Sequence, residues 1–304
     1  MSKGFDDLIK KVSECSKKKV AVAVAQDAPV LEAVKAAKEQ GIADAILVGD
    51  EDKIKEVAAS LNMDLSGFEV VDEKDDAQAA LKAVSLVHDG KADMYMKGLI
   101  DTKTFLKSVL DKEVGLRTGR PLSHVCVFEV KGIDRLLFLS DVAFMTYPTL
   151  EDKVAIIENT VEICHACGIP TPKVAPVAAV EVVNPKMPCT VDADELTKMN
   201  AEGKITGCIV DGPLSMDMAI DKEAASHKGG TGRKIAGDAD VLLFPDIHAG
   251  NLVYKVLTHL CEVKNGNILT GTAAPVILTS RSDSCEAKLN SIALAAVVAE
   301  SMKK

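Results

Sequence analysis

Tryptophan is absent from this chain of 304 residues, aromatics together make up 3% of it, and its formal charge at neutral pH is -9. Nucleic-acid binders rely on stacking rings and a basic excess, so no nucleic-acid partner is expected. Small anions stay open, because a local group of Arg and Lys holds phosphate whatever the total charge. No stretch reaches the roughly eighteen uncharged apolar residues that a membrane-spanning helix needs. The opening MSKGFDDLIKKV carries early charges and no apolar export segment, so a cytoplasmic protein without a membrane partner is expected.

Several chemical signatures are missing too. The chain contains no G-x-S-x-G or H-E-x-x-H, and its glycine-rich stretch satisfies neither G-x-G-x-x-G nor G-x-x-x-x-G-K-[ST]. The eight cysteines are scattered between Cys15 and Cys285, mostly inside apolar runs, as reduced and buried thiols are. Cys164-His165-Ala166-Cys167 is a C-x-x-C inside a helical pattern, with no second pair at zinc spacing. Core packing accounts for it better than a metal, and no metal site is expected.

What is present is an ordinary globular balance, 47% hydrophobic and 27% charged, at a length suited to one or two α/β domains. Short β-branched runs alternate with amphipathic segments, the pattern of βα units feeding a mainly parallel sheet. Strands are expected at Val20–Ala25, Ala45–Val48, Phe68–Val71 and Ala92–Met96, with helices at Val30–Gln40, Lys53–Leu61 and Ala77–His88. SHVCVFEV and RLLFLSD, joined by Lys131-Gly132-Ile133-Asp134, resemble an antiparallel hairpin. A long helix Glu151–Cys167 follows, closed by Gly168 and Pro170. Strands near Val174–Val180, Gly207–Val210, Val241–Pro245 and Pro275–Thr279, a helix Ala193–Ala201 and an Ala-rich helix from about Ser284 to Met302 complete the pattern. Two α/β domains result: 1–135 with 270–304, and 136–269.

Five clusters carry candidate chemistry. Lys97-Gly98 with Thr102 sits where a strand end meets a helix start, a place that favours anions; a turn glycine with Asp101 or Thr102 as N-cap explains the same residues. Arg117 and Arg120, followed by Ser123 and His124, put two guanidiniums before a strand, suited to bidentate capture of phosphate or carboxylate. Solvated arginines and a structural histidine are the plainer account. His227 and Lys228 open a glycine-rich cationic stretch that either wraps a phosphate or is a surface loop. Asp246, Gly250 and Asn251 lie at a strand-to-helix turn, explained by backbone geometry or by a cleft lining. Thr279-Ser280-Arg281-Ser282-Asp283 ends a strand and opens the terminal helix, the best single anion-recognition point in the chain. Ser282 or Asp283 as an N-cap leaves Arg281 unexplained.

These segments together resemble the phosphate acetyl/butyryltransferase family. The resemblance rests on MKGLIDTKTFL, LRTGRPLSHVCVFEV, DGPLSMDMA, AGDADVLLFPDIHAGNLVYK and PVILTSRSDS, in that order and over nearly the whole length. It implies two α/β domains like those of isocitrate and isopropylmalate dehydrogenases, an active site in the cleft between them, and a homodimer or larger homo-oligomer. It implies conversion of a short-chain acyl-CoA, butyryl-CoA foremost, and inorganic phosphate to acyl phosphate and coenzyme A, reversibly and without a bound cofactor. Ser280 and Arg281 match a Ser-Arg pair that supports the transferring group in the acetyl members. A downstream aspartate of those enzymes falls on Ala287 here, so Glu286 and Asp283 are the substitute acid–base candidates. Acetyl-CoA as substrate, a related-fold dehydrogenase and a non-catalytic acyl-CoA or phosphate binder are the alternatives. The missing dinucleotide fingerprint and metal-binding aspartate cluster disfavour the dehydrogenase.

Overall fold

The computed structural model describes residues 2–280 and 282–303, which form two compact units. The terminal unit comprises Phe5–Arg120 and the chain from Lys264 onward; the inserted unit comprises Pro121–Val263 and the N-terminus through Gly4. Along the chain the terminal unit begins with α1 (Phe5–Ser13), β1 (Lys18–Ala23), α2 (Ala28–Glu39), β2 (Ala43–Gly49) and α3 (Glu51–Ser60). It continues with β3 (Glu69–Asp72), α4 (Asp76–His88), β4 (Met94–Lys97) and α5 (Thr102–Val109). The inserted unit contains β5 (Ser123–Val130), β6 (Leu136–Ser140), α6 (Leu150–Ala166), β7 (Lys173–Pro176) and α7 (Pro188–Ala201). After these come β8 (Ile209–Val210), α8 (Met216–Ile220), α9 (Lys222–His227), β9 (Val241–Leu243) and α10 (Ile247–Leu260). The chain then returns through β10 (Val263–Thr270), β11 (Val276–Ile277) and α11 (Cys285–Met302).

In the terminal unit the strands lie in the order β3-β2-β1-β4-β11-β10, parallel except for β10 against β11. Central strands covered by helices on both faces read as continuous apolar runs, and VAVA of β1 is buried throughout. The inserted unit orders its strands β5-β6-β9-β7-β8, with the β5–β6 hairpin antiparallel and the rest parallel. The result is the expected α/β class: a mainly parallel sheet flanked by helices. Caps written in the sequence set the helix limits. Thr149 and Asp152 form a reciprocal capping box on α6. At its other end Gly168 is left-handed (φ 88°), and Ile169 N–H reaches Cys164 O at 2.9 Å, a Schellman closure.

The expected domain limits, 135/136 and 269/270, differ from the divisions between the compact units, after Arg120 and after Val263. The reason is strand pairing. Cys126 sits opposite Leu139, and β6 pairs onward with β9, so the whole hairpin belongs to the inserted unit. Residues from Lys264 pair instead with β11, Ile268 opposite Ile277. Among the elements without a sequence expectation are α1, α8, α9 and β10. α1 is short and charge-rich, yet it buries Phe5, Leu8 and Val12; β10 carries Asn265 and Asn267, both buried. The strand expected to reach Ala25 stops at Ala23, because Val24 turns to φ 57°. The one expected at Val174–Val180 keeps only Lys173–Pro176, plus a bridge from Val177 to Leu214.

Candidate active site

The carboxyl ends of β1, β4 and β11 lie side by side in the terminal unit, Ala23 paired with Lys97 and Met96 with Ile277. Lys97 is buried there, and its ammonium donates to Gly98 O at 3.5 Å. Gly98 is required by close approach: a Cβ would stand 2.2 Å from Val24 O and 2.5 Å from Ala23 O. Gly98 N–H donates to Ala23 O at 2.9 Å and Leu99 N–H to Val24 O at 2.8 Å. The left-handed Val24 thus seats the exit of β4. Asp101, not Thr102, caps α5, accepting from Thr104 N–H at 2.9 Å. Thr102 stands exposed on the first turn and lines an open groove of about 970 Å³ with Lys103, Leu106, Lys107, Leu110 and Lys112. Asp111 and Glu113 also line it.

Beyond β11 the chain makes a closed turn. Asp283 carboxylate accepts from Ser280 N–H at 2.8 Å and from Asn267 Nδ2 at 3.3 Å, while Asp283 N–H donates to Ser280 O at 3.2 Å. The hydroxyls of Ser280 and Ser282 lie 3.0 Å apart. Arg281 lies outside the described residues. The N-cap of α11 is Ser284, which accepts from Ala287 N–H at 3.1 Å, so neither Ser282 nor Asp283 has that task. Glu286 is exposed on the first turn and Ala287 is buried. A residue with no earlier assignment, Lys288, is 2% exposed and donates to Ser280 O at 3.2 Å and Asp283 O at 2.8 Å. Burial pushes the pKa of its ammonium down, against the opposing pull of Asp283 and Asp27. A lysine inside an Ala-rich apolar helix was the sequence signal for it.

The segment carrying Arg117, Arg120, Ser123 and His124 divides between the units. Arg117 and Arg120 are exposed on a terminal-unit loop that is anchored by Thr118 Oγ1 to Gly271 O at 2.6 Å and by a bridge from Arg117 to Thr272. Ser123 and His124 are buried in the inserted unit. Ser123 Oγ accepts from Asn159 Nδ2 at 3.0 Å, a packing role.

His124 belongs to a second group, built at the end of β6. Its N–H donates to Asp141 Oδ2 at 2.8 Å, and Asp141 Oδ1 accepts from Ala143 and Phe144 N–H, each at 2.8 Å. Desolvation raises the Asp141 carboxyl pKa, opposed first by the charge of His124. Gly250 packs on this turn so closely that a Cβ would lie 2.3 Å from Asp141 O, and Asn251 Nδ2 donates to Val142 O at 3.0 Å. Asp246 caps α10 through His248 and Ala249 N–H. Asp141 is the member that sequence reasoning missed; the polar end of RLLFLSD was its only mark.

His227 and Lys228 lie apart from this group in the network of contacts. His227 is exposed, and Lys228 is held by Glu181 at 3.1 Å, Asp217 at 2.9 Å and Ser215 Oγ at 3.1 Å. Arg233 of the same stretch pairs with Asp211 at 2.8 Å. Much of the loop's positive charge is therefore neutralised within the unit. Cys164 and Cys167 are both buried and outside any disulfide, and burial raises the Cys164 thiol pKa. Among the described residues no three His, Cys, Asp or Glu side chains are grouped to hold a metal ion. No helix among them is long and apolar enough to cross a membrane.

Residues 5–80 and 76–296 match the family model described as phosphate acetyl/butaryl transferase. The chain is 61% identical over 299 residues to a phosphate butyryltransferase of Clostridium acetobutylicum, covering 98% of this chain and 99% of that one. It is 44% identical over 282 residues to a phosphate acetyltransferase of Thermotoga maritima, covering 93% and 95%. Among solved structures, a branched-chain phosphotransacylase from Enterococcus faecalis V583 superposes with a TM-score of 0.82 at 36% identity, covering 93% of this chain and 99% of that one.

Proposed function

We propose that this chain, which belongs to the phosphate acetyl/butaryl transferase family and is a reversible phosphate acyltransferase acting on acyl-CoA, holds its inorganic phosphate at the Ser280 turn and takes butyryl-CoA as its preferred substrate. One observation carries the placement: the hydroxyls of Ser280 and Ser282 stand together at the entry to an 18-residue helix, on the carboxyl edge of parallel strands. Helix N-termini and such edges favour anions. The butyryl preference is carried over from the Clostridium acetobutylicum relative.

In this mechanism a phosphate oxygen attacks the thioester carbonyl carbon. The carbonyl π electrons move to oxygen, and the tetrahedral oxyanion collapses to acyl phosphate as CoA thiolate leaves. Two anionic reactants have to come within about 3.5 Å of each other, which requires cations to offset their repulsion and to orient attack. Arg281 has that role, with Arg117 or Arg120 second. Ser280, Lys97 or backbone N–H groups stabilise the oxyanion, a task for which a single donor is worth about 3 to 4 kcal/mol. A free thiol titrates near about 8.5, so proton removal matters mainly in the reverse direction. Asp283 is already engaged with Ser280 N–H and Asn267, whereas Glu286 is exposed, so Glu286 is the proposed base. The reaction is proposed to run without a metal or bound cofactor.

The groove along α5 suits the nucleotide end of coenzyme A: Leu106 and Leu110 offer an apolar ridge, and Lys103, Lys107 and Lys112 offer charge to its phosphates. Changing the three lysines to Glu is expected to raise KM for acyl-CoA about tenfold, while acyl-pantetheine, which lacks the nucleotide, keeps its KM within about twofold. Equal changes for both thioesters count against the groove.

We also infer a cytoplasmic location, a fold kinship with isocitrate and isopropylmalate dehydrogenases, and self-association into a homodimer or larger assembly. For the last, Leu252, Val256 and Leu260 recur at four-residue spacing on α10, exposed at 67%, 49% and 79%, an apolar stripe of the kind subunits cover. The test of function is thiol release from acetyl-, propionyl- and butyryl-CoA with and without phosphate. Phosphate-dependent release, fastest with butyryl-CoA, is expected. Fastest release from acetyl-CoA overturns the chain-length assignment, and tight CoA binding without release leaves only a binding protein.

A further inference from the structure

We propose that Lys288 is a positioning residue for phosphate transfer: its ammonium bridges the carbonyls of Ser280 and Asp283 and so fixes the turn on which phosphate is received. The inference rests on the reading that this turn is the phosphate site. Lys288 stands one turn into α11, its own N–H bonded to Ser284 O at 3.1 Å, and its side chain runs back beneath the turn to Ser280 O at 3.2 Å and Asp283 O at 2.8 Å.

Several bonds hold the turn. Asp283 N–H reaches Ser280 O, Asp283 carboxylate reaches Ser280 N–H, and Lys288 holds the outer carbonyls at both ends. The first two bonds close the loop on itself, the Asn267 bond to the Asp283 carboxylate ties it to β10, and the Lys288 bonds fix it to the helix. A hydroxyl that must meet phosphate within a few tenths of an ångström needs that anchor, because loosely held groups lose most of the benefit of proximity.

The alternative is a lysine that simply fills space. Its environment argues against that. Lys288 is 2% exposed, and burying an ammonium costs several kcal/mol unless charge and hydrogen bonds compensate, so an apolar side chain of equal length would pack more cheaply. The compensation comes from elements on either side. Asp283 on the turn and Asp27 at the start of α2 favour the charged form. A cation held beneath the turn also offsets the charge of an arriving phosphate, whereas the neutral carbonyls alone would repel it.

The experiment compares steady-state kinetics of Lys288→Met, Lys288→Gln and Lys288→Arg with those of Ser280→Ala and Arg281→Ala, using phosphate and arsenate as alternative acceptors. For Lys288→Met, kcat/KM for phosphate is expected to fall about thirtyfold, with KM for both acceptors raised and KM for acyl-CoA within about twofold. Lys288→Arg, which keeps charge and donors, is expected to recover at least about fivefold of the loss. A lysine that only supports packing would lower the melting temperature without a selective change in acceptor KM. Wild-type acceptor KM in Lys288→Met overturns the inference, as it does in Lys288→Gln if the methionine variant does not fold. If Ser280→Ala and Arg281→Ala also keep wild-type kinetics, the reading of the turn itself falls, a separate outcome.

Discussion

Arg281→Ala is expected to lower turnover at least about a hundredfold while the protein keeps its melting temperature. The size follows from the chemistry: a dianion and a charged thioester must be held in contact, and removing one well-placed charged donor from a transition state typically costs about 3 to 4 kcal/mol. The sequence neighbourhood supports it, since Arg281 lies between Ser280 and Ser282 at the entry to α11. Thiol-release kinetics at saturating acyl-CoA, with a thermal melt of the same preparation, measure both halves of the expectation. Wild-type-like kinetics in that variant would remove Arg281 from the mechanism. A Lys substitution separates charge from geometry, because an ammonium cannot reproduce the planar two-pronged contact a guanidinium makes with phosphate.

The second large effect concerns a residue without a side chain. Gly98→Ala is expected to destabilise the terminal unit by about 2 to 4 kcal/mol and to reduce activity with it. The added Cβ would meet two backbone carbonyls, at 2.2 and 2.5 Å, and no rotamer change relieves a clash with main chain. Relief would require Val24 or the exit of β4 to move, displacing Lys97 and the start of α5. Gly232→Ala is the control, because no atom lies within 4 Å of its ideal Cβ. Thermal melts of the two variants read the difference directly; equal melting temperatures would show that the β1–β4 contact is more tolerant than its distances indicate.

How much of this was legible in the sequence depends on how local the signal is. The hairpin from Ser123 to Ser140 was visible in two apolar runs around a glycine turn, and the terminal helix in its alanine periodicity. The Ser280–Asp283 segment was identified as an anion point from residue types alone. Its inner geometry was not. Ser282 and Asp283 are both respectable N-caps by composition, yet Ser284 caps the helix and Asp283 folds back on Ser280 N–H. Several donors compete within five residues, and the winner is set by where the strand delivers the chain. β10 escaped notice for a related reason. Its Asn265 and Asn267 look like loop residues, but Asn267 bonds Ser291 and Asp283 across sequence gaps that no local pattern reports.

By itself the sequence determined the α/β class and the residue types that can meet an anion, because these follow from periodicity and from side-chain chemistry, while the family came through the resemblance of its motifs, in their order, to a known family. Tertiary structure alone decided that the hairpin belongs with the inserted unit, that Lys228 and Arg233 direct their charges to Glu181, Asp217 and Asp211, and that the buried Lys288 stands under the Ser280 turn. The physical reason is common to all three. An ion pair, a strand partner or a buried ammonium is selected by distance in space, and that distance is set by how the folded elements pack rather than by any local pattern of residues.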